Sequence, residues 1–166
     1  MPIEVRTARD EDADELAELL NEIIARGGTT ALEAPFTGPS LAQAYLTGPD
    51  VISCVVALDD ETGRLLGFQT LGREAHLPDG VGDIGTFARV GGTQRGVGSA
   101  LFVATRAAAK AKGLSAINAT IRADNTGGLA FYGRMGFVDH SVSRGVPLKD
   151  GRPVDRIYKR FDLRGR

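Results

Sequence analysis

The sequence predicts an α/β fold, more specifically an α+β arrangement built on one mixed sheet. Helices cover both faces of that sheet. Two observations lead to this class. A hairpin of apolar strands stands beside strand–helix–strand units, and that mixture requires antiparallel and parallel neighbours in one sheet. The helical segments are amphipathic or rich in alanine, which suits packing against a sheet. The predicted order is β-α-α-β-β-β-α-β-α-β-β, which is about seven strands and about four helices.

The first third of the chain contains one strand and two helices. A strand is predicted at Ile3–Arg6, and Asp10 is expected to cap the helix after it. Five apolar residues in that helix recur at helical spacing and share one face, namely Leu16, Leu19, Leu20, Ile23 and Ile24. Two glycines at 27–28 end it. A loop then leads to a short helix at Ser40–Leu46.

The rest of the chain alternates strands and helices. The remaining predicted elements are strands at Ile52–Leu58, Leu65–Leu71 and Gly82–Arg89, a helix at Val97–Lys112, a strand at Leu114–Ile121, a helix at Asn125–Met135, and strands at Phe137–Val146 and Val154–Leu163. The first two strands form a hairpin, because a polar turn joins them. The helix at Val97–Lys112 is rich in alanine, the best helix former. Gly113 and Gly136 end the two helices.

Length and composition restrict the classes of protein. The chain has 166 residues, so we expect a single domain over 1–166. The longest mostly apolar run, Val51–Leu58, is too short to cross a membrane, and the acidic start at residues 10–12 does not resemble a secretory signal. We therefore expect a cytoplasmic protein without a membrane partner. The single cysteine, Cys54, allows no internal disulfide, and no cluster predicts a metal.

Net charge argues against a nucleic-acid partner. Lys and Arg number 20 and Asp and Glu 21, so the net charge is 20 − 21 = −1. The one basic stretch is the tail, with Arg152, Arg156, Lys159, Arg160, Arg164 and Arg166. We interpret it as a solvated last strand rather than a site for a polyanion.

Clustered glycines mark the most informative segment. The chain has 22 glycines among 166 residues, and a group of them lies between the strand at Gly82–Arg89 and the alanine-rich helix. The first amides of a helix have no partner within the helix and carry a partial positive charge. Since Gly96 and Gly98 lack side chains, the amides of residues 94–99 could bind a pyrophosphate, with Arg95 adding a cation.

The glycine turn has three other interpretations. A P-loop needs a Lys-Ser/Thr pair after its last glycine, where Ser99-Ala100 stands. A dinucleotide fingerprint needs a third glycine, where Leu101 stands. Both matches are incomplete. A tight turn without any ligand stays as the structural alternative.

A second motif follows at Asn125–Phe137. Its matching positions are Asn125, Gly128, Leu129, Phe131, Tyr132, Gly136 and Phe137. With the glycine turn about thirty residues earlier, the chain resembles the GNAT superfamily of N-acetyltransferases, most closely its phosphinothricin acetyltransferase-like branch. The family's leading Arg or Gln falls at Thr93, with Gln94 one place later, so we expect a shifted affinity rather than a lost one. The resemblance implies a mostly antiparallel sheet, splayed centrally for a cofactor.

In this family the cosubstrate is acetyl-CoA, without a metal. The resemblance implies that its pyrophosphate lies on the amides of Gln94, Arg95, Gly96, Val97, Gly98 and Ser99. Its pantetheine arm would pair with the strand edge at Thr86, Phe87 and Ala88. Asn125 would bond the arm, although a helix N-cap explains this residue equally well.

The resemblance also assigns the catalytic groups. Tyr132 is the candidate general acid for the departing thiolate, and a core aromatic is the structural alternative. Counting back from Gly96, the branch's catalytic carboxylate falls at Asp83, which is the candidate base. Its alternative is a solvated aspartate at a strand start. His76 is the rival base and a candidate substrate contact.

The loop between the first two helices faces substrate in this branch. Thr30, Glu33 and Phe36 are its candidate wall residues, a mixture that suits a small polar amine. The expected function is acetylation of an amino acid or an amino-acid analogue. Acetylation of a protein N-terminus or lysine, and a non-catalytic acetyl-CoA-binding module, stay as alternatives. Members of the branch commonly dimerise, so a homodimer is one of the states that the resemblance allows.

Overall fold

The computed structural model describes residues 2–92 and 95–164. Its elements are β1 (Ile3–Thr7), α1 (Ala13–Arg26), α2 (Gly38–Tyr45), β2 (Val51–Asp59), β3 (Leu65–Gly72), β4 (Val81–Ala88), α3 (Val97–Ala111), β5 (Ala116–Arg122), α4 (Thr126–Met135), β6 (Val138–Pro147) and β7 (Pro153–Asp162). The order of strands and helices is the predicted one, and most predicted ends lie within two residues of the observed ones.

The seven strands form one mixed sheet in the order β1-β2-β3-β4-β5-β7-β6. The pair β4–β5 is parallel, and every other neighbouring pair is antiparallel. The parallel pair follows from the chain path, because α3 carries the chain back between β4 and β5. The predicted mixed and mostly antiparallel sheet is confirmed.

Helices cover the two faces of the sheet separately. On one face, Leu16 and Leu20 of α1 share a buried cluster with Val56 of β2. On the other face, Leu101 of α3 packs against Val55 of the same strand. Both faces of β2 are therefore buried, which explains why its sequence is an almost continuous apolar run.

The starts of two helices differ from the predictions. Residues Asp10–Asp12 form a 3-10 turn, and the N-cap of α1 is Asp12 instead of the predicted Asp10. Helix α2 begins at Gly38 rather than at Ser40, because Thr37 and Ser40 form a reciprocal capping box one turn earlier.

The basic tail is less solvated than predicted. Arg156 is buried and Arg160 is half-buried. Strand β7 lies inside the sheet between β5 and β6, so neighbouring strands cover its side chains. The interpretation of a fully solvated strand is therefore wrong for these two arginines. Arg166 lies outside the described residues.

Candidate active site

The parallel strands β4 and β5 separate along half of their length. They pair only from Val81 opposite Ala116 to Ile84 opposite Ala119. Beyond those pairs, residues 85–88 of β4 and 120–122 of β5 continue without pairing to each other. The predicted central splay is confirmed. We name the space between the two diverging segments the central cleft, and the cavity that contains it measures about 850 Å³, a size typical of small-molecule sites.

The free edge of β4 forms one wall of the cleft. Thr86, Phe87 and Ala88 line it, as the resemblance implied. Their strand pairs with β3 on its other side, so backbone groups facing the cleft have no partner on β5. An extended ligand could pair with this edge as an added strand. Phe87 packs on Phe68, with ring centroids 4.9 Å apart, which anchors the wall in the core.

The start of α3 lies at the same opening. Gly96 has φ +84°, a left-handed conformation that favours glycine, and it caps α3 without a side-chain hydrogen bond. Gly98 lines the cavity. A Cβ there would lie 2.6 Å from Cε1 of Phe131, so this position lacks a side chain because α4 packs closely on α3. The sequence interpretation assigned that glycine to phosphate access.

The other predicted phosphate-site residues divide into three groups. Arg95 and Ser99 are exposed beside the start of α3. The side chain of Val97 is buried in the core with Leu101 and β2. Gln94 lies outside the described residues.

Tyr132 reaches the cleft from the second half of α4. Its hydroxyl lies 2.7 Å from Oγ1 of Thr86, which also accepts a hydrogen bond of 3.0 Å from Nε2 of Gln69. Burial raises the pKa of the Tyr132 phenol above its usual value, so the hydroxyl keeps its proton at neutral pH. Tyr132 also stacks edge-on against Phe137, with centroids 5.1 Å apart. Tyr132 is thus a packed core aromatic, and its role as the general acid stays a prediction.

Asn125 caps α4 at the edge of the cavity. Its Oδ1 accepts a hydrogen bond of 2.9 Å from the amide of Gly128 and caps α4. Its Nδ2 donates over 3.1 Å to the carbonyl of Thr29. The residue also lines the cavity. The cap is confirmed, and the bond to a cofactor arm stays a prediction.

Asp83 lines the cavity from the paired half of β4. Its Oδ1 accepts a hydrogen bond of 2.9 Å from Nδ2 of Asn118. Burial raises the pKa of Asp83 to about 6, against the lowering effects of Asn118, His76 and Arg160. Asp83 is therefore not a solvated carboxylate, and its pKa is close to that of a useful base at neutral pH.

The predicted substrate residues are only partly brought together. Thr30 lines the cavity. Glu33 does not, because its Oε2 accepts a hydrogen bond of 2.8 Å from the amide of Lys149. Phe36 turns towards Tyr45, with ring centroids 5.9 Å apart, and borders a separate shallow cavity on α1. His76 is exposed and is not part of the cavity wall.

Several side chains in the cavity wall were missed by the sequence interpretation. Arg26, Asp50, Arg73 and Glu74 line the cavity, and Arg73 and Glu74 directly follow Gly72, which pairs with Asp83. The available signal was their position at element ends, since Arg73 and Glu74 directly follow a predicted strand. Arg122 was also missed. It is buried, pairs with Asp124 at 2.8 Å and donates over 3.2 Å to the carbonyl of Thr30.

Within the described ranges, no group of three or more His, Cys, Asp or Glu residues could hold a metal ion. None of the helices within those ranges combines the length and apolar character needed to cross a membrane. The thiol of Cys54 is buried, and burial raises its pKa to about 12, which makes it a poor nucleophile.

Comparisons with known proteins agree with this geometry. The profile of the acetyltransferase (GNAT) family matches residues 16–137. A search of curated proteins found no match. Solved structures share the fold at low identity. An N-acetyltransferase from Staphylococcus aureus Mu50 superposes with a TM-score of 0.84 and 20% identity, over 98% of this chain and 99% of that one.

Two further structures are similar to the same extent. A GNAT superfamily phosphinothricin acetyltransferase from Sinorhizobium meliloti, in complex with AcCoA, gives a TM-score of 0.82 at 20% identity, over 98% of this chain and 89% of that one. A ribosomal-protein-alanine N-acetyltransferase from Brucella melitensis gives 0.82 at 16% identity, over 96% and 99%. At such identities these structures establish the shared fold only.

Proposed function

Because the chain belongs to the acetyltransferase (GNAT) family, we propose that it transfers the acetyl group of acetyl-CoA directly to the primary amine of a small molecule, an amino acid or an amino-acid analogue. One observation carries the proposal. The hydroxyl of Tyr132 and the carboxyl of Asp83 line one cavity, which opens where β4 and β5 separate.

The residues around the cleft fit acetyl-CoA. The free edge of β4 at Thr86–Ala88 can pair with an extended amide-containing arm, and the first-turn amides of α3 favour an anion. Gly127 lines the cavity and a Cβ built there would be clear of tight contacts, so the ligand meets no side chain at this point. The Sinorhizobium meliloti enzyme with this fold was solved with AcCoA, which supports the same ligand here.

Two side chains would handle the protons. Acetyl-CoA, when bound, supplies an acetyl group activated as a thioester. Asp83, directly or through water, accepts a proton from the substrate ammonium, which frees the nitrogen lone pair to attack the acetyl carbon. Tyr132 donates its hydroxyl proton to the departing sulfur as the carbon–sulfur bond breaks. As the amide forms, the nitrogen gives up its second proton, which returns through water to the Tyr132 phenolate. The products are the amide, the free thiol and the proton held by Asp83, which is released to solvent.

The charges in the cavity wall support a small zwitterionic acceptor. Arg26 and Arg73 can pair with a carboxylate, whereas Asp50 and Glu74 attract an ammonium group. Arg73 and Glu74, which carry opposite charges, directly follow Gly72, the β3 residue that pairs with Asp83. A cytoplasmic location and a homodimer stay predictions of the sequence.

A panel of amines assayed by release of free thiol tests the proposal. It contains α-amino acids, their carboxamides, polyamines and short peptides with free N-termini. We expect turnover with one or more α-amino acids and at least tenfold lower kcat/KM for the matched carboxamide, because the carboxamide cannot pair with the two arginines. Preference for peptides would replace the small acceptor by a protein N-terminus or lysine. Thermal stabilisation by acetyl-CoA without thiol release from any amine would indicate a binding module.

A further inference from the structure

A row of three polar side chains crosses the sheet below the cleft. Asp83 on β4 lies directly opposite Asn118 on β5, and Asn118 lies opposite Arg160 on β7. Directly opposite residues in neighbouring strands bring their side chains together on one face. Nδ2 of Asn118 donates over 2.9 Å to Oδ1 of Asp83, and Nε of Arg160 donates over 2.8 Å to Oδ1 of Asn118.

The orientation of the Asn118 amide is fixed by these partners. A guanidinium group only donates, so Arg160 requires the carbonyl oxygen of Asn118. The amide nitrogen must then face Asp83, and it donates a second bond of 3.0 Å to Oγ1 of Thr120. Asn118 is fully buried. A flipped amide would set two donors against each other without water to compensate.

We infer that Asn118 and Arg160 are positioning residues that keep the Asp83 carboxylate ionised and oriented, with Oδ1 held by Asn118 and Oδ2 left for the proton of the acceptor. The inference rests on the proposed role of Asp83 as the base. Among the described residues no hydrogen bond reaches Oδ2, so that oxygen is the one available to substrate or water.

Other charged groups near Asp83 act in both directions. Burial and Glu74 raise the pKa of Asp83, whereas Asn118, His76 and Arg160 lower it. Tyr45 on α2 and Tyr132 on α4 are near enough for the charge of Asp83 to raise their pKa values. The bond from Asn118 ranks first among the lowering influences. Its removal should therefore weaken the opposition to burial and raise the pKa of Asp83 further.

The test is a titration of the Asp83 carboxyl by carbon-13 NMR in the ligand-free protein, with the signal assigned by its loss in Asp83→Asn. Asn118→Leu keeps the branched shape of the side chain and removes both the donor to Asp83 and the acceptor of Arg160. We expect its Asp83 pKa to rise by about one pH unit, and the acid limb of the kcat/KM profile to move by the same amount. Tyr158→Phe is the matched control, because Tyr158 lies on β7 two residues from Arg160 and bonds Ser143 instead.

A second pair of variants keeps the inference testable if Asn118→Leu does not fold. Arg160→Met should raise the Asp83 pKa, and Arg160→Lys should restore it in large part, because lysine still donates to the Asn118 carbonyl. An Asp83 pKa unchanged in Asn118→Leu, or in Arg160→Met where the first variant does not fold, would overturn the inference. If the pKa of Asp83 shifts but the acid limb of the kcat/KM profile does not move, the positioning role of Asn118 and Arg160 is upheld. Asp83 is then rejected as the catalytic base.

Discussion

Tyr132 combines packing and chemistry in one side chain. Its ring is held edge-on between Phe131 and Phe137, and its hydroxyl meets Thr86 at the cleft. Packing fixes the ring and with it the position of the hydroxyl oxygen, which a general acid requires. Because burial raises the pKa of the phenol, the donor form is the only one present near neutral pH.

The hydroxyl of Tyr132 can be tested separately from its ring. In Tyr132→Phe we expect kcat to fall about 10²-fold or more, since the departing sulfur loses its proton donor. The Kd for acetyl-CoA should stay within threefold, because the ring and the β4 edge remain. The loss of one hydrogen bond should lower the free energy of unfolding by about 1 kcal/mol.

Steady-state kinetics and calorimetry on that variant provide the measurement. Tyr158→Phe, which loses a comparable 2.9 Å bond to Ser143, is the control and should keep its kcat. A kcat for Tyr132→Phe within twofold of the unchanged enzyme would remove Tyr132 from the proton pathway.

At the scale of elements, close packing of α3 on α4 positions Tyr132, the proposed acid. The ring of Phe131 approaches Gly98 so closely that a Cβ would lie 2.6 Å from it. The loop after α1 is attached to the far side of the cleft by two side-chain bonds to its carbonyls, from Arg122 to Thr30 and from Asn125 to Thr29. Helix α4 and the loop after α1 therefore meet at the end of β5 that carries Arg122.

A glycine-to-alanine pair measures the helix contact. Gly98→Ala and Gly133→Ala should gain similar helix propensity, about 1 kcal/mol, but only Gly98→Ala overlaps a ring, since nothing lies within 4 Å of a Cβ at Gly133. We expect Gly98→Ala to be less stable than Gly133→Ala by about 1–3 kcal/mol in the free energy of unfolding. Denaturant unfolding measures the difference. Equal stabilities would show that the two helices do not depend on a bare residue at that contact.

Element boundaries could be predicted from local signals, whereas side-chain partners could not. Glycine turns and apolar periodicity determine where each strand and helix lies. Phe36 was misplaced because Asn21 exchanges two hydrogen bonds of 2.8 Å with its backbone and turns the ring away from the cavity. No local pattern encodes that contact between residues fifteen positions apart.

At the scale of the whole molecule, the order of strands determines the site. Strands β5 and β7 are neighbours although α4 and β6 separate them in the chain, and this arrangement sets Arg160 beside Asn118. Counting back from Gly96 therefore predicted Asp83 as a site residue. It did not predict Asn118 and Arg160, the hydrogen-bonded pair next to Asp83. The central cleft was predicted through the family resemblance, since the divergence of β4 and β5 depends on pairing that spacing does not reveal.

The central claim is that the cleft between β4 and β5 holds acetyl-CoA. Isothermal titration calorimetry of the intact chain with acetyl-CoA tests it most directly, with Gly127→Trp as the matched variant, because the indole would occupy cleft space that this glycine leaves open. We predict one-to-one binding heat for the unchanged protein and at least tenfold weaker binding for Gly127→Trp, with both proteins folded by circular dichroism. Absence of heat from the unchanged protein, or equal affinity for both, would contradict the claim.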